Sequence, residues 1–332
     1  MKNQLTIGKL RGLQQISDAR GIFAMCAMDH RGSMQRMISK AESKKVAYET
    51  LAEYKRDLAE YLAPESTGIL LDPIYGAAQS IAFGALPGGV GLLVSLEETG
   101  YESDAQGRVT TLLPDWSVEK IKRMGASAVK MLLYYRPDLT ENAARQREVT
   151  RQVSAECLSW DIPFLIEPIA YAVSEAELDP STFAARKTSL VVDSARDLTQ
   201  LGVDVLKAEF PADMRFERDE DKLWAACELL DASSVSPWIL LSAGVSFDEF
   251  ARQVKIACQA GASGFLGGRA IWEEAMHITD RGERRQWLVT VGRDRMRRLG
   301  DIAGEYGRPW WKKWAGSMSE LMDVSPEWYR RY

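Results

Sequence analysis

The strongest constraint on the fold is an alternation of short apolar runs with helical or long connecting segments, repeated about eight times along the chain. The runs are almost continuously apolar, which is typical of parallel strands that helices bury on both faces. A doubly wound sheet is the competing α/β architecture, but no G-x-G-x-x-G follows the first run, so its dinucleotide-binding form loses support. We therefore predict a (β/α)8 TIM barrel. Its strands are predicted at residues 21–29, 67–73, 90–96, 128–135, 163–171, 203–211, 237–244 and 264–270.

Most of the connections between these strands carry apolar residues at helical spacing. Residues 97–113 are an exception, because they are polar, contain glycine and are too numerous for a tight turn. We expect them to form a loop over one rim of the barrel. The helices are predicted at residues 42–63, 76–84, 117–124, 142–160, 180–201, 221–231 and 247–260.

No Pro/Gly/Ser-rich linker or internal repeat divides the chain, so residues 1–332 are expected to form a single domain. The barrel is expected over about residues 20–275, followed by a C-terminal helical tail over about residues 276–332. From residue 308 onward the tail is rich in tryptophan and should pack against protein, its own barrel being favoured over another subunit. The residues concerned are Trp310, Trp311, Trp314 and Trp328.

Composition excludes several classes of protein. The net charge of −5 and the absence of a basic face argue against a nucleic-acid partner. No apolar run approaches the length of a membrane span and the N-terminus does not resemble a signal peptide, so we expect a cytoplasmic protein. The cysteines lack disulfide or zinc spacing, and His30 and His277 are too few for a multi-histidine metal site. Carboxylates alone could still hold magnesium, although nothing in the sequence points to it.

One predicted strand, with the sequence VDVLKAEFP, places Lys207 within an otherwise apolar run. Alternation puts Val205, Lys207 and Glu209 on one face of this strand. A buried lysine has a lowered pKa and can act as an amine nucleophile towards a carbonyl group. The competing interpretation, of equal weight on this stretch alone, is a lysine that reaches solvent or pairs with Glu209.

Other polar residues also lie late in predicted strands, where a barrel holds its active site. Taken singly, Asp29, Asp72 and Glu209 are most simply structural. Two lysines and a glutamate on three consecutive strands are harder to explain as packing, because buried charges stabilise a core poorly. The candidates are Asp29, His30 and Arg31 after strand one, Lys130 in strand four, Glu167 in strand five, Lys207 in strand six, Ser242 ending strand seven and Arg269 ending strand eight.

These residues suit Schiff-base catalysis. Lys207 would attack a carbonyl, Lys130 would disfavour protonation of that amine, and Glu167 would transfer protons. The glycine-rich segments 242–244 and 267–269 lie after strands seven and eight, where barrels commonly bind phosphate. Glycine turns by themselves more often reflect close packing of strand against helix.

Long segments of the chain resemble the class I tagatose 1,6-bisphosphate aldolases and their relatives. The segments are AMDHRGSMQRMI, LLPDWSVEKIKRMGASAVKMLLYYRPD, ECLSWDIPFLIEP, GVDVLKAEFP, PWILLSAGVSFDEF and GGRAIW. The resemblance implies a TIM barrel that needs no metal or other cofactor and acts on a sugar phosphate. It implies that Lys207 forms a Schiff base with a dihydroxyacetone phosphate moiety, that Glu167 transfers protons and that Lys130 is the second active-site lysine. Asp29 and Arg31 match the polar first loop, and the C1-phosphate site matches Ser242, Gly244, Gly268 and Arg269.

Two departures from that family pattern lie near the expected sugar site. His30 stands where the pattern has glutamine, and Pro168-Ile169-Ala170 follows the glutamate in place of a more apolar run leading to threonine. They leave the substrate open. The lead hypothesis is cleavage of a ketose 1,6-bisphosphate, and the related sulfofructose-phosphate aldolases, which release sulfolactaldehyde, are the alternative. A non-catalytic sugar-phosphate sensor is a third hypothesis, metal-dependent aldol chemistry is disfavoured by the scattered histidines, and a homo-oligomer is possible.

Overall fold

In a computed structural model, which describes residues 5–43, 45–104, 107–322, 324–330 and 332, eight parallel strands close into a barrel. Each strand pairs with the next along the chain, and the last pairs with the first, so the predicted (β/α)8 barrel is confirmed. Gly264 at the start of the last strand has φ +129°, and a Cβ added there would lie 1.9 Å from the carbonyl oxygen of Phe23. Only glycine permits this close approach where the barrel closes. The strands are β1 (Phe23–Ala27), β2 (Gly68–Leu71), β3 (Gly91–Ser95), β4 (Ala128–Tyr134), β5 (Phe164–Ile169), β6 (Val205–Ala208), β7 (Trp238–Leu241) and β8 (Gly264–Gly267).

Helices surround the barrel, and several begin at a capping residue that the sequence makes recognisable. The side chains of Ser117, Asp179 and Ser246 each accept a hydrogen bond from a backbone N–H in the first turn. In the described part of the chain, the α-helices are Ile7–Gln15, Gly32–Glu42, Tyr48–Leu62, Ala77–Ala82, Val118–Arg123, Thr140–Ser159, Pro180–Thr199, Glu220–Ser233, Phe247–Gln259, Arg269–Trp272, Arg281–Trp287 and Arg293–Tyr306.

Two predicted connections differ from the structure. A separate helix, Gly32–Glu42, precedes Tyr48–Leu62, where the sequence predicted only one helix from residue 42. The predicted rim loop contains an antiparallel pair, Glu102–Asp104 with Gly107–Val109, which we call the rim hairpin. Strands of three residues are too short to produce a periodic signal.

The core has two layers, as alternation along buried strands requires. Inward-facing residues such as Met25, Leu93 and Val205 fill the barrel, and Leu13 and Ile16 pack beneath them. Outward-facing residues pack against the helices.

The chain after β8 packs against the barrel at two places, in the ring of helices and beneath the strands. Helix Arg293–Tyr306 buries Met296, Leu299 and Ala303 in the outer core, so the helical ring extends past residue 275, where the sequence ended the barrel. Trp310 is fully buried beneath the barrel, and its indole N–H donates to Ser17 Oγ at 3.2 Å. The expectation that the tryptophan-rich tail packs on its own barrel is confirmed for this residue. None of the described helices combines the length and apolar character needed to cross a bilayer.

Candidate active site

Strand β6 carries Lys207 towards the inside of the barrel. Val205 packs in the inner layer, whereas Leu206 and Ala208 pack in the outer layer, so alternation places Lys207 on the inner face as predicted. The strand ends at Ala208, and Glu209 turns away from this face. Its carboxylate accepts a hydrogen bond from the backbone N–H of Ala170 at 2.9 Å. The prediction that Glu209 shares a face with Lys207 is therefore wrong.

A cavity of about 480 Å³ opens at the C-terminal end of the strands. All the candidate residues from the sequence line it, although they come from six different strand ends. They are Asp29, His30, Arg31, Lys130, Glu167, Lys207, Ser242, Gly244, Gly268 and Arg269.

A chain of ion pairs crosses the floor of this cavity. Lys207 Nζ lies 2.8 Å from Glu167 Oε1, and the other oxygen of Glu167 lies 2.9 Å from Lys130 Nζ. The same ammonium group lies 2.7 Å from Asp29 Oδ2 and 2.7 Å from Glu97 Oε1. Lys130 thus contacts three carboxylates, which offset its charge and weaken its repulsion of Lys207. The geometry therefore favours Glu167 as the group that takes a proton from Lys207, and it weakens the predicted role of Lys130 in disfavouring protonation of that amine.

Opposite charges outweigh burial at three members of this network, Glu167, Asp29 and Lys130. Burial raises the pKa of Glu167, but the positive charges of Lys130 and Lys207 bring it below its ordinary value. The same balance puts the pKa of Asp29 well below its ordinary range. Burial lowers the pKa of Lys130, whereas Asp29, Glu167 and Glu97 raise it well above the usual value. Asp29, Glu167 and Lys130 are therefore charged at neutral pH, and Lys130 is unsuited to act as a neutral amine.

The loop after β1 is supported from below and from the side. Lys55 is fully buried, donates to the carbonyl oxygen of Met28 at 2.6 Å and pairs with Asp72 at 2.5 Å. The ring of His30 meets that of Trp272 edge-on, with 5.1 Å between centroids. These contacts hold the loop rigidly at the cavity mouth, and they give Asp72 the structural role expected of it.

The loops after β7 and β8 are joined to each other. The backbone N–H of Gly268 donates to Ser242 Oγ at 3.1 Å, and the Arg269 guanidinium donates to the carbonyl oxygen of Ala243 at 3.1 Å. Gly244 has φ +79°, and a Cβ there would lie 2.7 Å from the guanidinium carbon of Arg269. The positive φ favours glycine at this position, and a side chain there would also displace the guanidinium group of Arg269.

Sequence reasoning missed Glu97, which is buried and contacts Lys130. It directly follows the apolar run of β3, so the rule used for the other strand ends would have found it. Tyr101 and Tyr134 also line the cavity and were missed. The guanidinium of Arg108, in the rim hairpin, lies 4.1 Å from the ring centre of Tyr101 and 5.4 Å from that of Tyr134.

Across the described ranges, no group of three His, Cys, Asp or Glu side chains is arranged to hold a metal ion. The four cysteines, Cys26, Cys157, Cys227 and Cys258, are free and buried.

His30 should make folding stability depend on pH. Burial lowers its pKa from 6.5 to about 4; Asp29 opposes this effect, and Arg269 and Lys207 add to it. The unfolded chain therefore takes up this proton at a higher pH than the folded protein, so stability falls as pH decreases from about 6.5 towards 4. Between about pH 7.5 and pH 5, wild type should lose about 1–2 kcal/mol more unfolding free energy than His30→Gln, measured by urea titration. The matched change at the exposed His277 should behave as wild type, and equal losses in His30→Gln and wild type would contradict the account.

The family model described as "DeoC/LacD family aldolase" matches residues 23–274 of the chain. A protein of Listeria monocytogenes serotype 4b named tagatose 1,6-diphosphate aldolase is 34% identical, over 98% of this chain and 99% of that protein. A protein of the same name from Staphylococcus epidermidis is 34% identical, over 86% of this chain and 92% of that protein.

Two solved structures with similar folds are of proteins named as fructose-bisphosphate aldolases. The fructose-bisphosphate aldolase of Plasmodium falciparum has a TM-score of 0.71 at 13% identity, covering 92% of this chain and 98% of its own. An archaeal fructose 1,6-bisphosphate aldolase has a TM-score of 0.57 at 19% identity, covering 89% of this chain and 98% of its own. At such identities these likenesses establish the barrel fold alone. The family model covers most of the chain, and the two relatives named above are 34% identical to it. The chain therefore belongs to the DeoC/LacD family of aldolases.

Proposed function

We propose that this aldolase cleaves tagatose 1,6-bisphosphate into dihydroxyacetone phosphate and glyceraldehyde 3-phosphate through a Schiff base on Lys207. The observation that carries the proposal is the contact between Lys207 Nζ and Glu167 Oε1 at 2.8 Å, on the floor of a cavity lined by every candidate residue. The names of the curated relatives support the choice of substrate.

The reaction begins with attack of the Lys207 amine on the C2 carbonyl. Glu167 is close enough to accept the proton that Lys207 must lose, and it can return a proton to the C2 oxygen as that oxygen leaves as water. The product is an iminium ion. Lys130 cannot replace Lys207 in this step, because three carboxylates hold it as an ammonium ion.

Cleavage then breaks the bond between C3 and C4. Its electron pair moves towards the iminium carbon to form an enamine, and the C4 hydroxyl loses its proton to a base as the aldehyde forms. Glu167 is the carboxylate beside the Schiff-base nitrogen, and the fixed charge of Lys130 stabilises negative charge on nearby substrate oxygens. Protonation of the enamine at C3 and hydrolysis of the resulting iminium release dihydroxyacetone phosphate and restore Lys207.

The C1-phosphate is assigned to the joined loops after β7 and β8. Arg269 supplies a guanidinium group there, and Ser242, Gly244 and Gly268 line the same end of the cavity. With C1 at that end and C2 at β6, the rest of the sugar extends towards β4 and β3. The polar loop that contains Asp29, His30 and Arg31 would then contact the sugar from the side of β1.

The assignment implies a small-molecule sugar phosphate as the only partner needed for turnover. A cytoplasmic location and assembly into a homo-oligomer remain predictions from the sequence.

The substrate can be identified by measuring triose phosphate release from tagatose 1,6-bisphosphate, fructose 1,6-bisphosphate and sulfofructose 1-phosphate. We expect kcat/KM to be highest for tagatose 1,6-bisphosphate. Treatment with EDTA should leave the rate unchanged. In the proposed chemistry the iminium ion on Lys207 accepts the electron pair of the broken bond, so the reaction needs no metal ion.

The outcomes of this comparison separate the hypotheses. Turnover of sulfofructose 1-phosphate alone would reassign the protein to the sulfonated sugar. Binding of all three compounds without turnover would indicate a sensor, and loss of activity in EDTA would indicate metal-dependent aldol chemistry.

Glu167→Gln should lower kcat by roughly 10²–10⁴-fold, the usual scale for loss of a general acid–base group. The amide keeps the shape of the side chain but cannot accept the proton from Lys207. Glu175→Gln, an exposed change in the loop after β5, should be nearly silent. Normal turnover in Glu167→Gln would remove Glu167 from the mechanism.

A further inference from the structure

We propose that Glu97 is a substrate-binding residue that recognises the aldehyde half of the sugar. Its carboxylate oxygen Oε2, which has no protein donor, accepts a hydrogen bond from the C5 hydroxyl, and this hydroxyl becomes the one next to the carbonyl in the aldehyde product. This inference rests on the proposed function, since it takes the orientation of the sugar from the positions of Lys207 and the C1-phosphate loops.

The two oxygens of Glu97 differ in their surroundings. Oε1 accepts a hydrogen bond from Lys130 Nζ at 2.7 Å. Oε2 is buried and has no hydrogen-bond partner among the described residues, although the side chain lines the cavity. Because a buried carboxylate oxygen without a donor is destabilising, the arrangement indicates a donor supplied by the ligand.

A buried donor at the same end of the cavity also lacks a hydrogen-bond partner. Nη2 of Arg31 donates to the backbone carbonyl oxygen of Glu97 at 2.5 Å. Nη1 of Arg31 makes no hydrogen bond to a described residue, and it lies 3.6 Å from Glu98 Oε1. An acceptor and a donor without a protein partner, on two side chains that line the same cavity, match a polar, hydroxyl-bearing ligand segment.

The position of Glu97 indicates that it contacts the half of the sugar far from the C1-phosphate, which is the half that becomes the aldehyde. It follows β3, across the barrel from the β7 loop to which the C1-phosphate is assigned. Counted from Lys207, Glu167 is the first ion-pair partner, Lys130 the second and Glu97 the third. Glu97 is thus remote from C2 and lies along the path of the carbons beyond C3.

The backbone around Glu97 is fixed on both sides, so the carboxylate is preorganised. The N–H of Leu96 donates to the carbonyl oxygen of Lys130 at 2.9 Å, and the N–H of Glu98 donates to that of Thr111 at 2.8 Å. Binding the hydroxyl would therefore cost little ordering of the protein.

A competing explanation is that Glu97 acts only by holding Lys130 in place. The two explanations differ in their dependence on the substrate. A positioning effect through Lys130 would slow every aldehyde equally, whereas a direct contact would affect only an aldehyde that carries the hydroxyl.

The test runs the reaction towards synthesis, with dihydroxyacetone phosphate and one of two aldehydes. Glyceraldehyde 3-phosphate carries the hydroxyl, and 3-phosphopropanal lacks it. For wild type, kcat/KM should be at least roughly tenfold higher for glyceraldehyde 3-phosphate, the scale of a hydrogen bond to a charged group. Equal values for the two aldehydes in wild type would overturn the proposal without any variant.

The second part of the test repeats this comparison of the two aldehydes with Glu97→Gln. The amide oxygen can still accept from Lys130, but the charged acceptor is lost, so the preference for the hydroxylated aldehyde should fall roughly tenfold, mainly through KM. Glu102→Gln, an exposed change in the rim hairpin, should keep the wild-type preference. An unchanged preference in Glu97→Gln, with both aldehydes slowed alike, would assign Glu97 to positioning of Lys130 and overturn the proposal.

Borohydride trapping of dihydroxyacetone phosphate on the same proteins separates this inference from the proposed function. Normal trapping in Glu97→Gln together with a lost aldehyde preference supports it. If wild type forms no trapped adduct and no aldol product, the proposed function fails, and this inference fails with it.

Discussion

The rest of the site depends on three ion pairs that the ammonium group of Lys130 makes with Asp29, Glu97 and Glu167. Its partners come from β1, β3 and β5, so the cluster forms only when the barrel has closed. Buried charges are costly unless they are paired, and here each carboxylate is paired with the same cation. Glu167 extends the network to Lys207, so the proposed nucleophile is part of one electrostatic unit and not an isolated buried amine. That unit distinguishes two lysines of similar burial: Lys130 is held as an ammonium ion by three carboxylates, and Lys207 is paired with Glu167, which can take its proton.

The surroundings of this cluster hold its side chains in place. Lys55 and Asp72 form a second, fully buried pair that supports the loop after β1 from below. Arg108 holds the rim hairpin against the tyrosines on the opposite side. Both sets of contacts lie outside the cavity floor. The first restricts the loop that carries Asp29, and the second restricts the loop that carries Glu97. Preorganisation of this kind lets the fixed charges act on a developing charge with little rearrangement during the reaction.

Much of this arrangement could be predicted from the sequence, because apolar runs and late-strand polar residues are strong signals in a parallel barrel. Lys130, Glu167 and Lys207 were found in this way, and the structure brings them together. Glu97 was missed because it was assigned to the following loop, one residue beyond a strand. The predicted orientation of the Glu209 side chain was wrong, because side chains alternate between faces only within a strand and this strand ends at Ala208. The rim hairpin was missed because strands of three residues give no periodic signal, and the boundary between the helices Gly32–Glu42 and Tyr48–Leu62 was missed because element ends are weakly encoded in apolar spacing. The ion-pair geometry likewise required the three-dimensional arrangement, since residues 29, 97, 130 and 167 have no local relationship in the chain.

The central claim is that Lys207, and not Lys130, forms the covalent intermediate. Borohydride reduction in the presence of dihydroxyacetone phosphate, followed by peptide mass spectrometry, tests it most directly. We predict a stable adduct on the peptide that contains Lys207, and its absence from Lys207→Met. An adduct on Lys130, or no adduct at all, would contradict the account.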